Sequence, residues 1–423
     1  MSGPVPPLAL YVHMPWCVRK CPYCDFNSHP LSRRGLPEQA YVEALIDDLT
    51  FAAAGCRGRE IVSVFFGGGT PSLFSPASIA AVLACARSLF KLAPLTEVTL
   101  EANPGAVERG SFEGYRNAGI NRVSLGAQSF DNSTLALIGR VHGSGEIRQA
   151  ARELQAAGLD NFNIDLMYAL PHQSVPQALH DVECALALGP THISHYQLTL
   201  EPGTDFAKRP PDLPGDELAY EMQLACQDRL SSAGYRHYEV SAYARDARQC
   251  AHNLNYWEFG DYLGIGAGAH GKLTEPGTNK VTRSARVRQP LRYLAAISPD
   301  ARVATSRTVS DRDLAFEFFL NVLRLEGGFE PALFEARTGL GWGQVSDRVE
   351  LARQRMLLAG GEKGRWKPTA LGWRFLDDLQ MIFLPDTSGE KSTEAGSAGS
   401  KTAQLFTVGP GPEISPRYES YPK

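Results

Sequence analysis

Cys17, Cys21 and Cys24 stand close together, spaced C-x3-C-x2-C, directly after the apolar run Leu8–His13. Soft thiolates gathered in this way ask for a metal. A structural zinc site wants four ligands, usually as two separated pairs. No second pair is visible, and His13 or His29 would have to supply the fourth ligand. A [4Fe–4S] cluster answers the spacing better. Three cysteines on one tight loop hold three irons and leave the fourth open to a small chelating ligand, whereas an electron-transfer cluster normally closes that corner with another cysteine. The remaining cysteines, at 56, 85, 184, 226 and 250, are scattered singly and read as small buried hydrophobes or idle thiols.

Such a loop needs a scaffold, and the first 200 residues supply one. The β-prone runs Leu8–His13, Ile61–Phe66, Glu97–Glu101, Arg122–Gln128, Asn161–Met167 and His192–Leu200 alternate with amphipathic stretches such as Gln39–Ala53, Ser78–Leu89, Glu146–Ala157 and Val175–Leu188. Most spacings suit one strand plus one crossover helix, which predicts a parallel sheet with helices outside. Six units fit either an open sheet or part of a (β/α) barrel. In both, ligands gather at the C-terminal strand ends. Those ends carry Gly67-Gly68-Gly69-Thr70-Pro71, Glu101-Ala102-Asn103-Pro104, Gly126-Ala127-Gln128 and Asp165. A long helix over Asp216–Ala233, a β-like run His237–Tyr243 and the Gly-rich stretch 264–271, read as a strand-and-turn crossing, follow. From Val309 the character changes. Helices over Asp311–Arg324, Pro331–Arg337 and Gln344–Leu358, a short strand Gly364–Thr369 and a last helix Ala370–Leu379 suggest a small winged-helix-like unit.

Composition limits the function classes. Lys+Arg is 42 against Asp+Glu 46, a net charge of −4, which argues against a basic nucleic-acid coat. No unbroken apolar stretch reaches membrane-spanning length, and Met1–Tyr11 lacks the basic start and apolar length of a signal peptide. The chain is therefore expected in the cytosol, where disulfides are rare. Residues 386–423, rich in Gly, Ser, Thr and Pro without apolar periodicity, are expected to form a disordered tail. Within it Pro416–Pro422 is similar to a segment near the start of coproporphyrinogen dehydrogenases.

The C-x3-C-x2-C triplet resembles the hallmark of the radical S-adenosylmethionine (SAM) superfamily. Tyr-Val-His-Met-Pro-Trp-Cys (11–17), Phe-Phe-Gly-Gly-Gly-Thr-Pro-Ser (65–72), Glu-Ala-Asn-Pro (101–104), Ser-Leu-Gly-Ala-Gln-Ser-Phe (124–130) and Asn-Ile-Asp-Leu-Met-Tyr-Ala-Leu-Pro (163–171) resemble its coproporphyrinogen dehydrogenase-like branch. That likeness implies an α/β fold: a partial (β/α)6 radical SAM barrel followed by a small α+β winged-helix-like C-terminal domain. Its parts would be 1–235 for the radical SAM domain, 236–308 for an extension, 309–385 for the C-terminal domain and 386–423 for the tail. It implies that Cys17, Cys21 and Cys24 hold a [4Fe–4S] cluster whose open iron is chelated by SAM. Gly68 and Gly69 would let backbone approach the SAM ammonium. Thr70 would add a hydroxyl there. Glu101 and Asp165 would accept hydrogen bonds from the ammonium or ribose hydroxyls, Gln128 would face the ribose, and Arg140 would pair with the carboxylate. Tyr11 would lie beside the cluster and SAM, and Gly266 and Ala267 would pass the adenine.

Two features divide the branch. The dehydrogenases carry a further cysteine two positions after the triplet, where this chain has Phe26. His252-Asn253-Leu254-Asn255-Tyr256-Trp257 is similar to the H-N-x-x-Y-W motif of HemW-type haem chaperones. A neutral imidazole is a standard axial haem ligand, and Tyr256 and Trp257 offer apolar faces to a porphyrin. The plainer reading is that His252 and Asn253 cap a turn while the aromatics fill core. His252 is the favoured haem contact, with His13, His192, His195 and His270 as alternatives. The resemblance then implies a haem chaperone serving client haemoproteins, membrane respiratory enzymes among them, at most peripheral to the membrane itself. Oxygen-independent coproporphyrinogen III dehydrogenation by a 5′-deoxyadenosyl radical is the competing reading, and a homodimer is left open.

Overall fold

The computed structural model describes residues 5–105, 111–360 and 364–385. The expected tail, with its Pro416–Pro422 segment, lies outside these. Strands β1 (Leu8–Met14), β2 (Glu60–Gly68), β3 (Lys91–Ala102), β4 (Arg122–Gln128), β5 (Phe162–Tyr168) and β6 (His192–Gln197) lie side by side in chain order and in parallel. Each connection carries a helix: α1 (Glu38–Ala53), α2 (Pro76–Leu89), α3 (Phe112–Ala118), α4 (Ser144–Ala156) and α5 (Val175–Ala187). Ser75 and Ser111 begin α2 and α3 by accepting a backbone N–H in the first turn.

After α6 (Asp216–Ser232) the chain adds to both edges of this sheet. The β-like run 237–243 is a hairpin, β7 (Arg236–Glu239) and β8 (Ala242–Ala244), with β8 antiparallel to β6. The chain then returns through α7 (Ala251–Trp257) to β9 (Asp261–Ile265), which pairs in parallel with β1 on the side away from β2. Strands β10 (His270–Thr274), β11 (Val281–Arg286) and β12 (Val303–Thr308) finish that edge as an antiparallel meander. The result is a mixed sheet of twelve strands, order β12-β11-β10-β9-β1-β2-β3-β4-β5-β6-β8-β7. Six of the twelve come from the stretch 236–308.

Alternation decides which residues face the helices. Leu10, Val12, Val64, Phe66, Val98, Leu100, Val123, Leu125 and Ile164 join one apolar core with the helix residues Leu45, Leu49, Ile79, Val82 and Leu154. The opposite parity is polar: Tyr11 and His13, Ser63, Glu97 and Glu101, Arg122 and Ser124, Asn163 and Asp165, His192 and Ser194 share the inner face. A second core joins Tyr256, Trp257, Phe259 and Tyr262 to the C-terminal unit, where Phe318 meets Phe259, Phe319, Phe329 and Phe334 edge-on. That unit contains α8 (Asp311–Val322), α9 (Pro331–Thr338), α10 (Ser346–Gln354), the hairpin β13 (Leu358–Gly360) and β14 (Trp366–Pro368), and two short terminal helices. The helix expected to run to Leu358 stops at Gln354. Met356 turns to a positive φ of 59°, and Leu358 enters the hairpin. Among the described residues no helix is long and apolar enough to cross a membrane.

Candidate functional site

The inner face presents two groups of expected site residues, one at each end. At the C-terminal end, the loop after β1 carries the three cysteines, which form no disulfide. Each thiol has a polar neighbour, and those of Cys17 and Cys24 favour the ionised form. Thr70 and Ser28 serve Cys17, Arg140 Nη1 lies 3.6 Å from Cys21 Sγ, and Ser28 Oγ lies 3.6 Å from Cys24 Sγ. Burial nonetheless pushes the Cys17 thiol up and the Cys24 thiol up to about 11. Among the described residues no three His, Cys, Asp or Glu are set to grip a single metal ion.

The base of this loop is stitched to the end of β2. Gly69 N–H donates to Met14 O at 2.8 Å and Thr70 N–H to Trp16 O at 2.8 Å. The glycines expected to admit a ligand have a prior task here. A Cβ on Gly68, whose φ is +114°, would strike the His13 ring, and one on Gly69 would lie 2.6 Å from Trp16 O. Gly266 and Ala267 follow β9 and hold the far end of the same loop. Ala267 O accepts from Asn27 Nδ2 at 2.9 Å, while Gly266 N–H donates to Asp48 and Ala267 N–H to the Tyr41 hydroxyl.

Across from the loop stand two half-buried carboxyls. Glu101 accepts from Gly68 N–H at 3.0 Å, yet burial and the nearby Asp165 raise it to about 8. Asp165 is also raised by burial, against hydrogen bonds from Asn163 at 2.7 Å and Ser124 at 3.2 Å. Arg140 is the matching cation. It donates to Asn103 Oδ1 and, at 2.7 Å, to Gly126 O, while its Nε is buried without a partner and none of its nitrogens meets a carboxylate among the described residues. Asn103 Nδ2 reaches Thr70 Oγ1 at 2.8 Å. Gln128, held at a positive φ of 73°, accepts the Tyr196 hydroxyl at 2.8 Å. A paired acid site without its cation, beside a guanidinium without its carboxylate, is chemically suited to an amino acid-like zwitterion. Tyr11 stands lower. Its hydroxyl meets His13 Nδ1 at 2.9 Å and its ring stacks near Phe65.

The other expected group forms the floor at the N-terminal end. His252 is fully buried, stacked on Phe65 with ring centroids 5.0 Å apart and met edge-on by Tyr256. Its Nδ1 pairs with Ser63 Oγ at 3.0 Å, its Nε2 has no partner, and burial lowers it to about 3. The imidazole is therefore neutral at any physiological pH. The alternatives fare differently. His13 uses both nitrogens, on Tyr11 and Asn27 O, and His192 uses both, on Asn163 and Tyr238. His195 also has a buried nitrogen without a partner, Nδ1, but it stacks on Tyr168 on the helix side of the sheet, away from the inner face. His270, on β10, is only half-buried. The capping role weighed for His252 is present too, but in the backbone: Glu97 receives Ala251 N–H and His252 N–H at 3.2 Å each. Tyr256 OH and Trp257 Nε1 are buried without partners, and Arg324 lies 4.2 Å over the Trp257 ring.

A model of the radical SAM superfamily matches residues 11–183, and one of the HemN C-terminal domain matches residues 309–375. A protein of Haemophilus influenzae named heme chaperone HemW is 44% identical over 386 residues, covering 90% of this chain and 99% of that protein. The Escherichia coli protein of the same name is 43% identical over 382 residues, again with 90% and 99% covered. The chain belongs to the HemW family of radical SAM proteins. A bovine protein, radical S-adenosyl methionine domain-containing protein 1, mitochondrial, is 40% identical over 393 residues, covering 89% of this chain and 87% of its own length. Among solved structures, coproporphyrinogen III oxidase (HemN) from Escherichia coli, described as a radical SAM enzyme, aligns with a TM-score of 0.75 at 21% identity, covering 90% of each chain, a likeness of fold.

Within this HemW-family chain, several residues of the inner face escaped the motifs. Glu97, Arg122, Ser63 and Tyr238 organise the floor: Glu97 caps α7 and lies 3.9 Å from Arg122, and the Tyr238 hydroxyl accepts Cys250 N–H while holding His192. Their signal was parity. Glu97–Thr99–Glu101 and Asn163–Asp165 are polar at every second position of otherwise apolar strands, which marks a face turned away from the helices.

Proposed function

We propose that this chain is a haem chaperone that binds haem, a [4Fe–4S] cluster and SAM, and delivers haem to client haemoproteins. The observation that carries the haem part is His252: a neutral, fully buried imidazole whose Nε2 is unsatisfied, framed by Phe65, Tyr256 and Tyr11. A buried nitrogen without a partner costs stability and is kept where a ligand completes it. The names of the relatives support the same reading.

Cys17, Cys21 and Cys24 are the residues that would hold the cluster, and the donors on their sulfurs suit thiolates. When bound, the cluster supplies one-electron chemistry and an iron free to take SAM. The protein's own part is to seat SAM: Glu101 and Asp165 take its ammonium and ribose hydroxyls, Arg140 its carboxylate, and Gln128 lies on the ribose side. Thr70 and the Gly68–Gly69 backbone fix the wall against which these act. The loop at Gly266 and Ala267 borders the adenine side. Phe26, where a dehydrogenase would have cysteine, removes a redox-active group and argues against coproporphyrinogen turnover.

Haem reaching His252 has to part the aromatic layer of Tyr256 and Trp257 from the C-terminal unit. Clients include cytosolic or membrane haemoproteins, with the chain itself acting from the cytoplasmic side. The test is haem titration of the purified protein with and without His252→Ala. Loss of the specific haem spectrum, with affinity down at least about tenfold, supports the reading. Binding no tighter than to a general apolar surface, or unchanged in the variant, refutes the site. Release of carboxyl groups from coproporphyrinogen III under anaerobic assay would restore the dehydrogenase reading.

A further inference from the structure

The floor of the inner face holds a guanidinium that bonds to nothing. Arg122, at the start of β4, is 2% exposed. Among the described residues none of its nitrogens donates a hydrogen bond. Its Nε is sealed without a partner, and its ion-pair neighbour, Glu97 Oε2, stays 3.9 Å away. Glu97 is engaged elsewhere: its oxygens take Ala251 N–H and His252 N–H at 3.2 Å each and the Cys250 thiol at 3.5 Å. It offsets the charge of Arg122 without meeting its fork. Arginine carries five donors, and donors left unmet inside a protein cost stability.

The neighbouring strand repeats the deficit. Thr99, fully buried on β3, is the register partner of Arg122, and its Oγ1 has no partner either. On its other side Thr99 is the register partner of Phe65 on β2, whose ring stacks on His252. Phe65, Thr99 and Arg122 therefore form one row across three adjacent strands, on the parity shared by Ser63, Glu97 and Ser124. Two strand spacings make that row about 10 Å wide. His252, with Nε2 unsatisfied, stands at one end, and an unmet hydroxyl and guanidinium stand at the other. The planar fork of an arginine matches a carboxylate. A ligand that completes the whole row has a metal at one end, an apolar plate over Phe65 and a carboxylate beyond it. Haem, with acid arms at the edge of a flat ring, has that build.

We propose that Arg122, together with Thr99, is the subsite for a carboxylate arm of the haem whose iron meets His252. The proposal rests on the haem reading of His252 and adds an orientation to it, with the acid edge of the ring set against β4. The guanidinium donates to the carboxylate oxygens, and the Thr99 hydroxyl donates to one of them. Glu97 keeps its place on α7 throughout.

The experiment titrates the full, cluster-loaded chain under argon with haemin and with haemin dimethyl ester, which has the same ring and iron but no ionised carboxylate. The parent should bind haemin at least about tenfold more tightly than the ester. Arg122→Gln should erase that preference and Thr99→Val should narrow it severalfold, while the affinity for the ester and its dependence on His252 stay as in the parent. If Arg122→Gln leaves Glu97 without its counter-charge and loosens the fold, the unfolding midpoint reports it, and Thr99→Val, which breaks no hydrogen bond, decides. Binding of both forms no tighter than to a general apolar surface, or unaffected by His252→Ala, refutes the haem reading and the subsite with it. Specific, His252-dependent binding with equal affinity for the two forms, or a preference that survives unchanged in the deciding variant, overturns the subsite alone and leaves its donors to water.

Discussion

At the C-terminal end of the inner face, Glu101, Asp165 and Arg140 are half-buried ionisable groups whose partners within the chain are incomplete. At the floor, Glu97 caps α7 and lies 3.9 Å from Arg122, so the two charges offset each other although Arg122 Nε has no hydrogen-bond partner; His192 pairs with Tyr238, and His252 keeps a single nitrogen in reserve. Both ends use the same strands and the same parity, yet one is left open in charge and the other is closed. Burial without a partner is expensive for an ion and tolerable for a neutral imidazole. The open end therefore suits a small charged ligand that completes it. The closed end suits a large apolar one that must first displace what covers it.

The sharpest break in this comparison comes at the cluster loop. Replacing Cys17, Cys21 or Cys24 with Ser should abolish the iron–sulfur absorption of reconstituted protein, whereas Cys56→Ser should leave it intact. Iron retained at parental stoichiometry in any of the three would remove the basis for the open end. The next effect is on the closed end. Arg324 donates to Glu239 at 2.9 Å, and both are buried. Arg324→Ala strands that carboxylate and should cost about 3–5 kcal/mol in denaturant unfolding. It also uncovers Trp257, so haem should associate faster; slower or unchanged uptake would show that the C-terminal unit is no barrier.

The open end is also tested by pH. Glu101 is protonated below about 8 in the free protein, and a cationic ligand prefers the carboxylate. Binding then expels a proton, so SAM affinity should rise by up to about tenfold per pH unit below that value and level off above it. Glu101→Gln should flatten the profile, and a flat profile in the parent would detach Glu101 from the ligand. The smallest effect is at Ser63. Removing its hydroxyl leaves His252 Nδ1 unpartnered, and Ser63→Ala should cost about 1 kcal/mol and shift the haem spectrum, with Ser63→Thr restoring it.

Much of the scaffold was legible because each central strand is apolar on the helix side and the crossover spacing is regular. The strand Arg122–Gln128 was read to its limits, while β3 begins at Lys91 rather than Glu97 because Lys91 and Leu92 pair with Glu60 and Ile61, a contact no local pattern announces. The triplet and the residues facing it were legible through motifs, and the structure brings them together. The partner of β1 was not. The Gly-rich stretch 264–271 read as a strand and turn, but nothing local says that Asp261–Ile265 slots beside Leu8–Val12. The reason for Gly68 and Gly69 was also hidden, because the collision they avoid is with His13 and Trp16 on another segment.

That pairing of β9 with β1 joins stretches of chain about 250 residues apart, a long loop to close. A nascent chain leaving the ribosome at 5–20 residues per second would hold one edge of Leu8–Met14 uncovered for roughly 10–50 seconds. A strand that is buried along its whole length in the finished fold invites mispairing during that interval. A strand synthesised well before its partner β9 is thus among the last of the sheet to be enclosed, and a holdase would have most to do there.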